Sequence, residues 1–142
     1  MREILFRGKR IDNGEWVYGA FVPDALEQTH GEMVTWGFIR RYQPNRTVES
    51  VEMIEVHRYT IGQYTGLHDK NGKRIFEGDI VKVHDAYKQY SEPNHEFTGV
   101  VEFDNASFLI NQDDCVKHYR WMDYECEVVS NIHDNPELLK GE

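Results

Sequence analysis

Cysteine is scarce in this chain: Cys115 and Cys126 are the only two in 142 residues. A secreted disulfide scaffold would need more, and a pair of free thiols fits a reducing compartment better. Long apolar runs are missing too. No stretch approaches the roughly 18 residues of a membrane-spanning helix, and the start, MREILFRGKR, has charge but no apolar segment of signal-peptide length. Both absences lead to the expectation of a cytoplasmic protein with no membrane contact. Several signatures of common chemistries are also absent. The chain has no G-x-S-x-G elbow, no phosphate-binding glycine loop, no dinucleotide fingerprint and no internal repeat.

Aromatic residues make up 13% of the chain, and eleven glycines punctuate it. That pairing favours strands and turns over helices. Hydrophobic content of 39% with 29% charged residues suits a folded domain rather than a disordered one. The formal net charge of −9 is uneven. Residues 1–60 carry eight Lys/Arg against nine Asp/Glu, a net −1, and residues 61–142 carry eight against sixteen, a net −8. An acidic surface repels phosphate backbones, so no direct nucleic-acid binding is expected. Arg40, Arg41 and Arg46 form the one local basic cluster and read as a solvated edge.

Turn chemistry organises the rest. Asp12-Asn13-Gly14 joins two strands, because Asn and Gly accept the positive φ of a tight hairpin. The second strand is apolar on both faces, with Trp16, Tyr18 and Ala20 on one and Val17 and Phe21 on the other, and so calls for cover on both sides. A polar loop is expected from Pro23 to Gly31, followed by one strand through Val34, Trp36 and Phe38. Residues 43–50 read as a connection, and 51–64 as a strand broken near Arg58. Further turns fall at Asn71-Gly72, at Glu77-Gly78-Asp79 and at Asp104-Asn105, where Val101 and Phe103 should face Ile110 and Phe108. Residues 85–96 form a long polar loop, and 124–128 alternate Tyr124, Cys126 and Val128 against Glu125 and Glu127. Asn135-Pro136-Glu137 is a helix start.

The expected fold is mainly β, an α+β fold with little helix. Antiparallel hairpins would form an N-terminal β-hairpin subdomain over residues 1–60. An acidic, small β-barrel-like subdomain with a short C-terminal helix would span 61–142.

Residues 64–84, YTGLHDKNGKRIFEGDIVKVH, crowd carboxylates and imidazoles together. A calcium loop starting at Asp69 finds Asn71 at its third position, but Lys73, Arg74 and Ile80 occupy the fifth, sixth and twelfth, where ligands and a glycine are required. The stretch therefore reads as architecture. Asp79 is expected to bind backbone amides in an Asx-type turn. Gly72 and Gly78 should matter through backbone conformation, whereas alanine at His68 or Asp69 should leave folding nearly unchanged. Cys115, His118, Cys126 and His133 could supply a tetrahedral zinc set. Against it, Cys126 sits on an apolar strand face, and the second pair is more widely spaced than a zinc knuckle. Asp113 and Asp114 would raise the Cys115 thiol pKa rather than activate it. Trp16, Trp36 and Trp121 could stack bases, although packing is the commoner use. The seven histidines, at 30, 57, 68, 84, 95, 118 and 133, are dispersed. No catalytic, cofactor-binding or metal residues are assigned, no cofactor is expected, and the chain reads as non-enzymatic.

Three stretches, ILFRGKRIDNGEWVYG, IGQYTGLHDKNGKRIFEGDIVKV and VVSNIHDNPELL, together resemble the YopX family of phage- and prophage-encoded proteins. The resemblance runs nearly end to end and is thinnest over 22–50 and 85–96. It carries no catalytic residues across, since the family's molecular role is unknown. It implies a phage origin, a host-cytoplasmic location and assembly into homo-oligomers. Any helix-rich description of the family would conflict with the strands read here. The expected function is an oligomeric binding or assembly module, self-associating through residues 1–60 and open to a host or phage protein partner. One alternative is an acidic decoy for a host nucleic-acid-binding protein. The other is a small metal-dependent hydrolase, which rests on the Cys/His set alone.

Overall fold

The computed structural model describes residues 2–23, 27–29, 32–34, 37–41, 52–84, 96–113, 116–119, 121 and 125–139. It divides into two compact units, Met1–Tyr64 and Thr65–Glu142. Strands dominate both, as the turn signals and short alternating runs predict.

In the first unit, β1 (Phe6–Lys9) and β2 (Trp16–Pro23) form the expected hairpin. Gly14 closes it with φ of 73°, and the Asn13 side-chain oxygen accepts the Glu15 amide at 2.9 Å. A short hairpin, β3 (Glu27–Thr29) with β4 (Glu32–Val34), precedes β5 (Gly37–Arg41) and β6 (Glu52–Val56). The loop expected from Pro23 to Gly31 thus contains a strand, and the single strand expected through Val34 and Phe38 is two. Trp36 and residues 43–50 lie outside the described residues. The break near Arg58 is a single 3-10 turn over Arg58–Thr60 before β7 (Gly62–His68).

The strands of this unit lie in the order β6-β5-β2-β1, with the start of β7 beside β1. Register fixes two faces. Val17, Ile39, Ile54 and Val56 are buried on the inner one, with Phe6, Phe21 and Ile61 packed against them. The expectation of cover on both sides of the second strand does not hold within this chain, because Tyr18 and Ala20 on the outer face are exposed.

This sheet curls until its far strand returns to its first. Arg10 bridges Val56, the His57 amide donates to the Lys9 carbonyl at 2.8 Å, and the Ile11 amide donates to that of Glu55 at 3.2 Å. Buried Thr60 pins the return, accepting the Lys9 amide at 2.9 Å and donating to the His57 carbonyl at 2.6 Å. Gly8 is what lets the strands approach: a Cβ there would stand 2.9 Å from a methyl of Val56.

The second unit pairs the remainder of β7 with β8 (Arg74–Phe76) across the 69–73 turn. It then builds a five-stranded antiparallel sheet in the order β12-β11-β10-β9-β13 from β9 (Asp79–His84), β10 (Glu96–Asp104), β11 (Ser107–Asp113), β12 (Val116–His118) and β13 (Glu125–Asn131). Phe103 pairs with Phe108 and Val101 with Ile110, as expected. The core is Ile75, Val81, Val83, Val101, Ile110, Trp121, Cys126 and Val128.

Two expectations need correction here. Among the described residues the sheet does not close into a barrel: it is open, with three-residue β12 and β13 at its edges. The C-terminal helix is only a 3-10 turn over Pro136–Leu139. The Asn135 side-chain oxygen accepts from the Ser130 hydroxyl at 2.6 Å, so it is drawn toward β13 instead of capping a longer helix. Residues 85–95 and Tyr124 lie outside the described residues.

Three substitutions test this packing and backbone geometry. Gly8→Ala should destabilise by roughly 1–3 kcal/mol in urea unfolding, because the added methyl overpacks against Val56. Val56→Ala in the same chain should remove part of that penalty, giving a less-than-additive double mutant. Ala106, a non-glycine held at φ of 59° in the β10–β11 turn, carries avoidable strain. Ala106→Gly should therefore stabilise by about 0.5–1 kcal/mol by the same measure.

Candidate functional site

The 69–73 turn draws the candidate residues into one place. Its sequence, Asp-Lys-Asn-Gly-Lys, makes a hairpin loop in which the Gly72 amide donates to the Asp69 carbonyl at 3.0 Å and the Asp69 amide to that of Lys73 at 2.8 Å. Gly72 takes φ of 81°, a conformation that favours glycine.

Asp69 is 7% exposed, and both of its carboxylate oxygens are in use. One accepts the amides of Asn71 and Lys73, each at 2.9 Å. The other accepts the amide of Val128 on β13 at 3.0 Å, from a residue 59 positions away. Beside it, the Lys70 amide donates to the Cys126 carbonyl at 3.0 Å. The turn thus occupies backbone groups on the strand at the sheet edge, where a further strand would otherwise pair. Burial by itself would raise this carboxyl's pKa. The three amides and the Lys73 charge outweigh it and hold Asp69 below the usual aspartate value.

Asp79 is 1% exposed and accepts the Phe76 amide at 2.7 Å, so it binds a nearby backbone amide as expected, although three residues back and not two residues on as in an Asx turn. Gly78 precedes it at φ of 90°, donating its amide to the Val101 carbonyl and accepting that of Ile132. Both buried carboxylates therefore hold backbone. With its oxygens filled by amides, Asp69 is no calcium ligand. Nor is it replaceable by alanine at little cost, which corrects the expectation for that residue.

The zinc candidates do not converge. Cys126 is buried in the core, where burial and the Asp69 charge push its thiol up to about 11, leaving it protonated and unreactive near neutral pH. The His118 ring stacks on Phe97 at 4.2 Å with Nε2 3.1 Å from the Gln112 side-chain oxygen, and burial lowers its pKa. The His133 amide donates to the Asn131 side chain at 3.0 Å. Cys115 lies outside the described residues. Among those described, no three His, Cys, Asp or Glu side chains gather as a metal set.

The two described tryptophans are committed to packing or to cations. Trp121 is buried and donates its indole N–H to the Phe108 carbonyl at 3.1 Å. Trp16 has the Arg7 guanidinium 4.6 Å and the Lys9 ammonium 5.7 Å from its ring.

Sequence reasoning missed Asn131. It is buried at the end of β13, and its side-chain oxygen accepts the amides of His133 and Asp134 while its Nδ2 donates to the Asp134 carboxylate at 2.8 Å. The Asn-x-x-Asp spacing was the available signal for this turn. The outer face of the first unit was also only half read. Register places Ala20 and Met53 on either side of the Arg40 position, with Tyr18 two residues along β2 on the same face. Tyr18 is 47% and Met53 45% exposed.

Asp69→Asn should destabilise the chain by roughly 1–3 kcal/mol at neutral pH, since charge-assisted bonds are lost from a buried turn. A carboxylate whose pKa is depressed by folding contributes stability above the ordinary aspartate pKa and loses it as pH falls through the lower folded-state value. Urea unfolding followed from about pH 6 to about pH 2 should therefore fall more steeply for the native chain than for Asp69→Asn. Parallel curves would remove Asp69 from this role.

Comparison with known proteins agrees with this architecture. A solved structure, protein EF1440 from Enterococcus faecalis, is 26% identical in sequence, with a TM-score of 0.52 over 98% of this chain and 99% of that one. A search of curated proteins finds no match. The family described as YopX protein matches residues 5–140, nearly the whole length, and the chain belongs to the YopX family.

Proposed function

We propose that this protein is a non-enzymatic accessory protein of phage or prophage origin, acting in the host cytoplasm as a self-associating binding or assembly module. The observation that carries this reading is the outer face of the first unit, where Tyr18 and Ala20 on β2 and Met53 on β6 stand exposed, with the Arg40 position of β5 between the two strands. Apolar surface grouped on one sheet face is a common mark of an interface. Phe103 and Val129 are also exposed, at 54% and 44%, but they belong to the half whose net charge is −8. Copies meeting there would repel, whereas residues 1–60 sum to −1. The buried carboxylates support the non-enzymatic part of the reading, because Asp69 and Asp79 spend their oxygens on backbone amides.

A second reading rests on the same −8: residues 61–142 would act as an acidic surface for a basic host or phage protein. It is compatible with self-association through the other half. Capture from host lysate of a nucleic-acid-binding protein, lost at high salt, would favour it.

Light scattering at micromolar concentration should report more than one chain per particle. Tyr18→Glu with Met53→Glu should shift it to a single chain while the circular dichroism stays unchanged. A native chain that is monomeric at every salt concentration tested would overturn the proposal.

A further inference from the structure

The chain contains two Asn-Gly pairs, Asn13-Gly14 and Asn71-Gly72, each in an exposed hairpin turn. Asn-Gly is the dipeptide in which the glycine amide nitrogen most readily reaches the preceding side-chain carbonyl, because no Cβ stands in the way. The two pairs are closely matched in backbone. Gly14 and Gly72 have φ of 73° and 81°, and a Cβ built on either would meet nothing within 4 Å. Each glycine amide donates to a carbonyl at 3.0 Å, that of Arg10 for Gly14 and that of Asp69 for Gly72. Backbone geometry and crowding therefore do not separate them.

The side chains do. Asn13 is held at both ends by Glu15: its oxygen accepts the Glu15 amide at 2.9 Å, and its Nδ2 donates to the Glu15 carboxylate at 3.4 Å. Attack on its Cγ requires that hold to break first. In Asn71, by contrast, the backbone amide is engaged with Asp69, while the exposed side-chain amide has no hydrogen-bond partner among the described residues. It is free to rotate toward the Gly72 nitrogen.

We infer that Asn71 is a site of spontaneous covalent modification, deamidating through a cyclic imide with Gly72 while Asn13 stays intact. The Gly72 nitrogen loses its proton and bonds to Asn71 Cγ, the bond from Cγ to the side-chain nitrogen breaks, and that nitrogen leaves as ammonia. Water then adds to either imide carbonyl and breaks one C–N bond, leaving aspartate or isoaspartate. No electrons are transferred, and solvent water is the only co-reactant.

The site matters because of its neighbour. The Asn71 amide is one of the three that Asp69 accepts, and another reaches across to Val128 on the edge strand. Aspartate at 71 sets a second negative charge beside that carboxylate. Isoaspartate also lengthens the main chain inside the turn by one carbon. Either product weakens the clasp on β13.

The test incubates the native full-length chain at mildly alkaline pH and maps its peptides by mass spectrometry over time. Asn71 should gain one mass unit, with isoaspartate present, about tenfold faster than Asn13, the factor expected when one side chain must first leave its hydrogen bonds. In urea both sites should convert at similar rates. The modified fraction, separated by anion exchange, should melt below the fresh protein, and Asn71→Gln should abolish both the mass change and the loss of melting temperature. Conversion of Asn13 as fast as Asn71 in the folded chain would overturn the inference, as would conversion of both in urea with none at Asn71 when folded.

Discussion

A carboxylate buried in a turn must find donors close by or lose the free energy that water gave it, and Asp69 finds three. Two come from its own loop and fix the loop's shape. The third comes from β13, which the same loop meets again through Lys70 and Cys126. One charge thus performs two tasks that short β domains usually divide: it sets the hairpin's geometry and it covers a sheet edge. The other features of the second unit follow from that clasp. With its end strand covered by a turn, the sheet has no need to close on itself. The Cys126 thiol beneath the clasp lies in an apolar, anionic setting that keeps it protonated.

The first unit uses a different device. Its sheet bends until β6 returns to the end of β1, and the limit on that approach is steric, with Gly8 against Val56 and Thr60 completing the junction by hydrogen bonds. The bend gathers Val17, Ile39, Ile54 and Val56 inside. It leaves the opposite face, with Tyr18 and Met53, outside. Burial of one face and display of the other are consequences of one curvature.

The family match over residues 5–140 places the chain among YopX proteins, and a solved structure of similar length shares its fold. The chemistry of the described residues points toward structure and surface. Asp69 and Asp79 spend carboxylate oxygens on backbone amides, His118 stacks on Phe97, and the described cysteine is buried.

The turns and strand faces were legible because their causes are local. Asn13-Gly14, Asn71-Gly72 and Asp104-Asn105 supply residues that tolerate positive φ, and the two-residue alternation of Cys126 and Val128 against Glu125 and Glu127 states which side is inward. Asp79 could be read as a turn residue for the same reason, since its partner amide lies three residues away. Asp69 could not, because the donor that makes it indispensable lies 59 residues along the chain, and nothing in a local pattern records which strand will pass beside a turn. The open sheet, the return of β6 to Gly8 and the exposed outer face of β2 were hidden likewise. Each depends on where distant strands come to rest. By itself the sequence determined the local backbone conformations and the inward residues. Only the tertiary structure decided which edges are covered, which polar groups are buried and which apolar face is left to solvent, because those depend on distances between segments and not on order along the chain.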